Sequence, residues 1–308
     1  MTMYAVTAHG VQLRYGDVLA LDGVDLRVPE GSTLGVLGHN GAGKTSLTRV
    51  LTTALRPDRG QVRIDGIDAL RNPAEVRRRI GVTGQYAGLD DFLTAFENIE
   101  LVARLSGLRS TASDRVSELI DRFDLGHVAS RRVGMLSGGT RRRVDLAASL
   151  VATPSVLFLD EPTTGLDPAA RHTVWAVITD LAAAGTTVIL TTQYLEEADR
   201  IADQLVVLDG GGVVARGTPN ELKRLVGGKV VKATIARDRI VVLPVQPVAS
   251  TTAGGVWTTV SFSVADDAAA ADLIARLRSE AGDVSDLEVA SPSLDDVFFH
   301  LTQSGAAA

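Results

Sequence analysis

The chain has 308 residues, enough for one large domain and a small one, and its 45% apolar content can fill a sizeable core. Aromatic residues make up only 4%, so that core rests on Val, Leu, Ile and Ala. A net charge of −6 gives no overall basic surplus for nucleic acid, and the lack of cysteine excludes disulfides, zinc-thiolate centres and thiol nucleophiles.

Residues 1–10 lack the charged and apolar blocks of a secretion signal. No apolar run approaches the roughly 18 residues of a bilayer span, so a role at a membrane needs a partner that supplies the membrane part. Residues 5–29 read as short strands with turns at Tyr15-Gly16-Asp17 and Leu21-Asp22-Gly23. An apolar strand over 33–37 runs into Gly38-His39-Asn40-Gly41-Ala42-Gly43-Lys44-Thr45 and then into a helix over 46–55. That spacing, between a strand and a helix, is a phosphate-binding loop. Its glycines let backbone N–H groups curl toward phosphate oxygens, and the following helix presents its positive end. Lys44 then reaches the β- and γ-phosphates, while Thr45 offers a hydroxyl to Mg2+.

Further strands are expected at 61–64 and 81–83, and a helical stretch over about 93–152. Within that stretch Leu101, Leu105 and Leu108 share one face, and Val116, Leu119, Ile120 and Phe123 another. The unbroken apolar run 156–159 reads as a central parallel strand covered on both sides, and it ends in Asp160-Glu161. Adjacent carboxylates at a strand end usually cap a helix or face solvent. Downstream of a phosphate loop, they suit Mg2+ binding (Asp160) and polarisation of an attacking water (Glu161). A helix over 169–184 and strands at 187–190 and 204–208 complete an α/β alternation, hence a mostly parallel sheet flanked by helices.

After about residue 226 the composition changes. Strands are expected at 230–235, 240–243, 256–264 and 287–290, with helices at 268–279 and 294–301, as a small α+β domain. The triplets at 77–79 and 141–143, all arginine, read as solvated helix faces. His39 sits at a variable position of the loop and carries no catalytic assignment.

Ser137-Gly138-Gly139, preceded by Leu136 and opening a helix ahead of Asp160-Glu161, places a hydroxyl and bare amides at a second helix start. In this order the motifs resemble the ABC ATPases over residues 4–225. The resemblance implies a P-loop ATPase domain with a helical subdomain at about 87–152, all within 1–226; the small domain at 227–308 is expected to serve dimerisation or regulation. It implies a nucleotide site of Tyr15 on adenine, Gly38 to Thr45 with Ser46 around the phosphates, and Gln85 near Mg2+ and the membrane partner. It further implies Asp167 in the segment after Glu161, and Ser137, Gly138 and Gly139 on the γ-phosphate held by a second copy. Head-to-tail dimerisation around two MgATP follows.

The chain departs from the pattern at Thr140, where Gln is usual, and at Gln193, where His is usual. A Gln amide donates a hydrogen bond but carries no charge and shuttles no proton. Four segments are similar to the daunorubicin-resistance DrrA-type drug-efflux ATPases: Thr83-Gly84-Gln85-Tyr86, Gly138-Gly139-Thr140-Arg141-Arg142-Arg143-Val144-Asp145-Leu146-Ala147, Thr191-Thr192-Gln193-Tyr194-Leu195-Glu196-Glu197-Ala198-Asp199 and Pro292-Ser293-Leu294-Asp295-Asp296-Val297-Phe298. That likeness implies a separate permease carrying small hydrophobic drugs or lipids, with this chain at the cytoplasmic face. Two rival expectations stand beside it: an ABC ATPase acting on ribosomes or nucleic acid, and a weakly hydrolysing nucleotide-binding regulator.

Overall fold

Alternating apolar residues near the amino terminus build a long hairpin in the computed structural model, from β1 (Tyr4–Tyr15) and β2 (Val18–Pro29). Residues 3–84, 88–108, 110–236, 249–253, 257–280 and 284–304 are described. Leu21-Asp22-Gly23 is not a turn, as its composition suggested, but lies inside β2. Val11 pairs with Val24 and Leu13 with Leu21, so the extra residue is absorbed as a bulge. β3 (Thr33–Leu37) leads into α1 (Lys44–Leu51), followed by β4 (Arg59–Ile64), β5 (Ile67–Asp68), α2 (Pro73–Arg77) and β6 (Ile80–Thr83). Helices α3 (Ala95–Leu105), α4 (Ala112–Arg122) and α5 (Gly138–Ser149) come next, then β7 (Val156–Asp160), α6 (Pro168–Ala183), β8 (Thr187–Thr192), α7 (Leu195–Ile201), β9 (Gln204–Asp209) and β10 (Gly212–Gly217).

Two sheets result, one antiparallel in the order β2-β1-β4-β5 and one in the order β10-β9-β3-β8-β7-β6. In the second, the neighbours from β9 through β6 run parallel. Strand β7 shows why the sequence there is continuously apolar. Val156 and Phe158 join a core with α1 and the antiparallel sheet, while Leu157 and Leu159 join one with α3 to α6. Each such fully buried side chain stabilises the fold by roughly 1.5–3 kcal/mol.

The helical layer departs from expectation on α3. Its buried positions are Ala95, Asn98, Ile99 and Ala103, whereas Leu101 and Leu105 are exposed, Leu105 at 79%. Small residues win the inward face because α5 packs there, and Asn98 is admitted because its amide bonds the Asp90 and Thr94 carbonyls at 3.0 Å.

The chain divides into two compact units, Met1–Val214 and Ala215–Ala308. The division precedes the compositional change at 226 because α8 (Pro219–Val226), started by a Thr218–Glu221 capping box, packs on the last helix of the second unit. That unit continues with β11 (Lys229–Ala236), β12 (Ala249–Ala253), β13 (Trp257–Val264), α9 (Asp267–Glu280), β14 (Val284–Ala290) and α10 (Leu294–Ser304). Its antiparallel sheet runs β12-β13-β11-β14, with Leu273 and Leu277 of α9 covering Val231, Ala233, Ile235 and Phe262. The strand expected at 240–243 lies outside the described residues.

Candidate active site

Because β3, β8 and β7 are parallel neighbours, their carboxyl ends open on one edge of the sheet, and the loops leaving them meet there. The loop after β3 is the expected phosphate loop. Gly43 caps α1 at φ 105°, and a Cβ there would lie 2.6 Å from the Ala20 carbonyl oxygen, so both the backbone twist and the space require glycine. No side chain caps α1 among the described residues, so its first amides remain available to an anion.

Lys44 is buried, and its ammonium donates to the Gly38 carbonyl at 2.7 Å and the His39 carbonyl at 3.0 Å. Burial pulls its pKa down, and the nearby carboxylates of Glu161 and Asp160 push it back up. Asn40 and Gly41 are exposed, Ala42 is buried, and Thr45 and Ser46 lie on the first turn of α1. The His39 ring is turned onto Asp209 at the end of β9, 2.8 Å away, and onto the Asn40 carbonyl at 2.6 Å. Tyr15 is 46% exposed at the tip of β1, and Ala20 of the same hairpin touches Gly43.

The loop after β7 brings the two carboxylates in. Asp160 is buried and accepts a hydrogen bond from the Thr191 hydroxyl of β8. Glu161 takes φ 48°, a left-handed conformation rare for its type, and its N–H donates to the Thr191 carbonyl at 3.0 Å. That turn breaks the strand alternation that would send the two side chains apart. Glu161 accepts from the Thr164 hydroxyl at 3.1 Å and lies 3.9 Å from the Lys44 ammonium. Gln193, just past β8, is exposed. Its neighbour Tyr194 lies under the Arg171 guanidinium at 4.5 Å, and Arg171 also donates to the Leu166 carbonyl at 3.1 Å. Asp167 caps α6 through the Ala170 N–H at 2.9 Å.

Ser137 caps α5, accepting from the Thr140 N–H at 3.3 Å and sharing a hydrogen bond with the Thr140 hydroxyl at 2.9 Å. The nearest atoms to a Cβ at Gly138 and Gly139 belong to Leu166 and Ala170, so this motif sits against the start of α6. Gln85 lies outside the described residues.

Arg142 corrects the reading of the arginine run as solvated. It is buried, and it donates to Pro162, Gly84, Thr83 and Asp145. A run of like charges conceals which member points inward. The usable clue was Asp145 three residues on, an i,i+3 pair on the face that also carries Leu146. Glu197 was missed as well. It is fully buried, with Thr163 and Trp175 each donating to it at 2.9 Å, and burial pushes its pKa up against those bonds.

No group of three or more His, Cys, Asp or Glu able to hold a metal occurs among the described residues. Nor, among them, is any helix long and apolar enough to cross a membrane.

Residues 21–164 match the family model for the ABC transporter, and residues 217–302 the model for the carboxy-terminal domain of DrrA1-3-like ATP-binding proteins. A daunorubicin-resistance ATP-binding protein of Streptomyces coeruleorubidus is 47% identical over 98% of this chain and 96% of its own length. The daunorubicin/doxorubicin resistance ATP-binding protein of Streptomyces peucetius is 51% identical over 74% of this chain and 69% of its own. The Nod factor export ATP-binding protein I of Ralstonia nicotianae is 41% identical over 70% and 68%. Among solved structures, the ATP-binding subunit of an ABC transporter superposes with a TM-score of 0.65 at 27% identity, covering 72% of this chain and 92% of that one. A dimeric ATP-binding cassette bound to ADP and Pi reaches 0.63 at 26% identity, covering 69% and 98%.

Proposed function

Since the chain belongs to the ABC ATP-binding proteins of the daunorubicin-resistance type, we propose that two copies hydrolyse two ATP between them to drive a separate permease exporting small hydrophobic molecules. The observation that carries this reading is the 3.9 Å approach of Lys44 to Glu161, which joins the phosphate loop and the strand-end carboxylates in one site. The loop fits a polyphosphate. It leaves no room for a Cβ at Gly38, which would lie 2.7 Å from the Leu208 carbonyl oxygen, or at Gly43. It also aims main-chain amides at whatever fills it.

Lys44 exchanges the Gly38 and His39 carbonyls for β- and γ-phosphate oxygens. Tyr15 offers its exposed ring to the adenine. The donor set of the Thr45 hydroxyl and one carboxylate, Asp160, fits Mg2+, which keeps water and phosphate ligands rather than a protein cage. Mg2+ supplies charge neutralisation on the phosphate oxygens. Glu161, steadied by Thr164, orients a water and accepts its proton. Gln193 donates an amide hydrogen bond to phosphate or water. Ser137 with Gly138 and Gly139 from the second copy closes the site, consistent with the dimeric cassette noted above. Asp167 caps the helix against which that motif rests and so holds the α6 start at the edge of the nucleotide site. With a permease as partner, the chain works peripherally at the cytoplasmic face of the membrane.

The test compares phosphate release by wild type, Glu161→Gln and Gln193→Ala. Glu161→Gln is expected to lose about 10²- to 10⁴-fold in rate with ATP still bound. Gln193→Ala is expected to retain measurable turnover. A wild-type complex that transports without releasing phosphate would overturn the reading. An inactive wild type would favour the nucleotide-binding regulator that Gln193 also suits.

A further inference from the structure

The Arg142 guanidinium is 7% exposed, and each of its five N–H donors has an acceptor. Its Nε donates to the Pro162 carbonyl at 2.9 Å. One terminal nitrogen serves the Gly84 carbonyl at 2.8 Å and Asp145 Oδ2 at 2.9 Å. The other faces the Thr83 hydroxyl at 3.2 Å and the Asp160 carbonyl at 3.5 Å. Asp145, itself 6% exposed, also accepts the backbone N–H of Gly88.

These partners are not arbitrary. Asp160 and Pro162 are the residues on either side of Glu161. Gly84 and Gly88 are the residues on either side of 85–87. Both side chains of the pair stand on α5, whose cap is Ser137. One buried ion pair therefore grips the backbone flanking the carboxylate that serves a chain's own nucleotide. It does so from the helix whose first turn serves the nucleotide of the second copy.

We infer that the Arg142–Asp145 pair is a positioning device: it locks α5 to the backbone around Glu161, so that engagement of Ser137 and alignment of Glu161 occur together. This rests on the ATPase reading above. Neither residue touches the reacting atoms. Lysine cannot replace Arg142, because an ammonium has three donors on a single point and cannot reach five backbone and side-chain acceptors spread around a planar fork. Burial lowers the guanidinium pKa and raises that of Asp145, while each charge opposes the shift of the other. Removing one partner alone strands the other charge, whereas replacing both by apolar groups need not unfold the chain.

The experiment uses the purified full-length chain as wild type, Arg142→Lys, and the double variant Arg142→Met with Asp145→Leu. Phosphate release, thermal unfolding and backbone amide exchange are measured on each. For Arg142→Lys, kcat is expected to fall about 10²-fold through misplacement of Glu161. The KM for ATP should stay within about twofold, because the phosphate loop is untouched. Amide exchange at Gly88, Glu161 and Thr163 should accelerate about tenfold while that of α1 stays unchanged. The double variant should regain the unfolding midpoint of wild type without regaining kcat. A double variant restored in both respects reduces the pair to a fold-stabilising contact and overturns the inference. So does an Arg142→Lys chain with unaltered exchange at those amides. If the wild type releases no phosphate, the ATPase reading fails by itself, and the exchange pattern still decides whether the clamp exists.

Discussion

Two helix starts in this molecule are built by opposite means. At α1 the cap is glycine, no side chain covers the first amides among the described residues, and the Lys44 ammonium holds the loop before it through the Gly38 and His39 carbonyls. At α5 the cap is Ser137, which spends its oxygen on the Thr140 N–H at 3.3 Å. The first start sits beside Lys44, Asp160 and Glu161 and is assembled within one chain. The second turns its glycines toward Leu166 and Ala170, and Arg141 of its first turn pairs with Asp91 at 2.6 Å. The first is a complete phosphate cradle. On the function proposed above, the second completes the nucleotide site of another copy.

That contrast can be broken from the α1 side first. Gly43→Ala adds a Cβ 2.6 Å from a carbonyl oxygen at φ 105°, where the backbone strain alone is about 1–3 kcal/mol. ATP affinity, read by titration calorimetry, is expected to drop by roughly 10²-fold or more, because the strain and the clash both fall on the cradle. Ser137→Arg tests the other start. ATP binding to the single chain should stay within about twofold, while turnover falls about 10²-fold for want of one preorganised donor. If binding and turnover fell together, Ser137 would belong to its own chain's site.

A smaller effect sharpens how the second start is held in place. Gly139→Ala would set a Cβ 2.7 Å from that of Ala170, an overpacking of about 1–3 kcal/mol visible in the unfolding midpoint. Adding Ala170→Gly should recover most of that loss. The smallest effect concerns pH. Burial holds the Glu197 carboxyl above its ordinary range. The folded chain therefore keeps that proton where the unfolded chain has released it. Its contribution is full below the ordinary carboxylate range and is lost as pH rises through the raised value. Glu197→Gln keeps an acceptor for Thr163 and Trp175 without a titrating group, so urea unfolding from pH 4 to 8 should show a flatter stability profile than wild type, about 1 kcal/mol or less in difference.

Legibility tracked range along the chain. The loop from Gly38 to Thr45 could be read because its function needs a fixed local order of glycines, lysine and hydroxyl between a strand and a helix. The apolar run at 156–159 could be read because burial on both faces removes alternation. The face of α3 was misread at Leu101 and Leu105, since periodicity reports that a stripe exists but not which of two stripes a neighbouring helix occupies. Arg142 was misread because three successive arginines look alike until a partner is seen across the sheet. The limit of the first unit was set too late because α8 joins α10, an attachment with no local mark.

What the sequence determined by itself is the set of short-range devices: the phosphate cradle, the Ser137 cap, the carboxylates ending β7 and the alternation that makes a parallel sheet. Each depends on neighbours within a turn or a strand, where propensity and spacing are decisive. What only the tertiary structure decided is how those devices are held together. The left-handed turn at Glu161 that aims its carboxylate at Lys44 arises from contacts with β8. The buried pair of Arg142 and Asp145 arises from a guanidinium whose acceptors lie up to 59 residues away. Desolvation and hydrogen-bond satisfaction set those arrangements, and both depend on groups that meet only when the chain is folded.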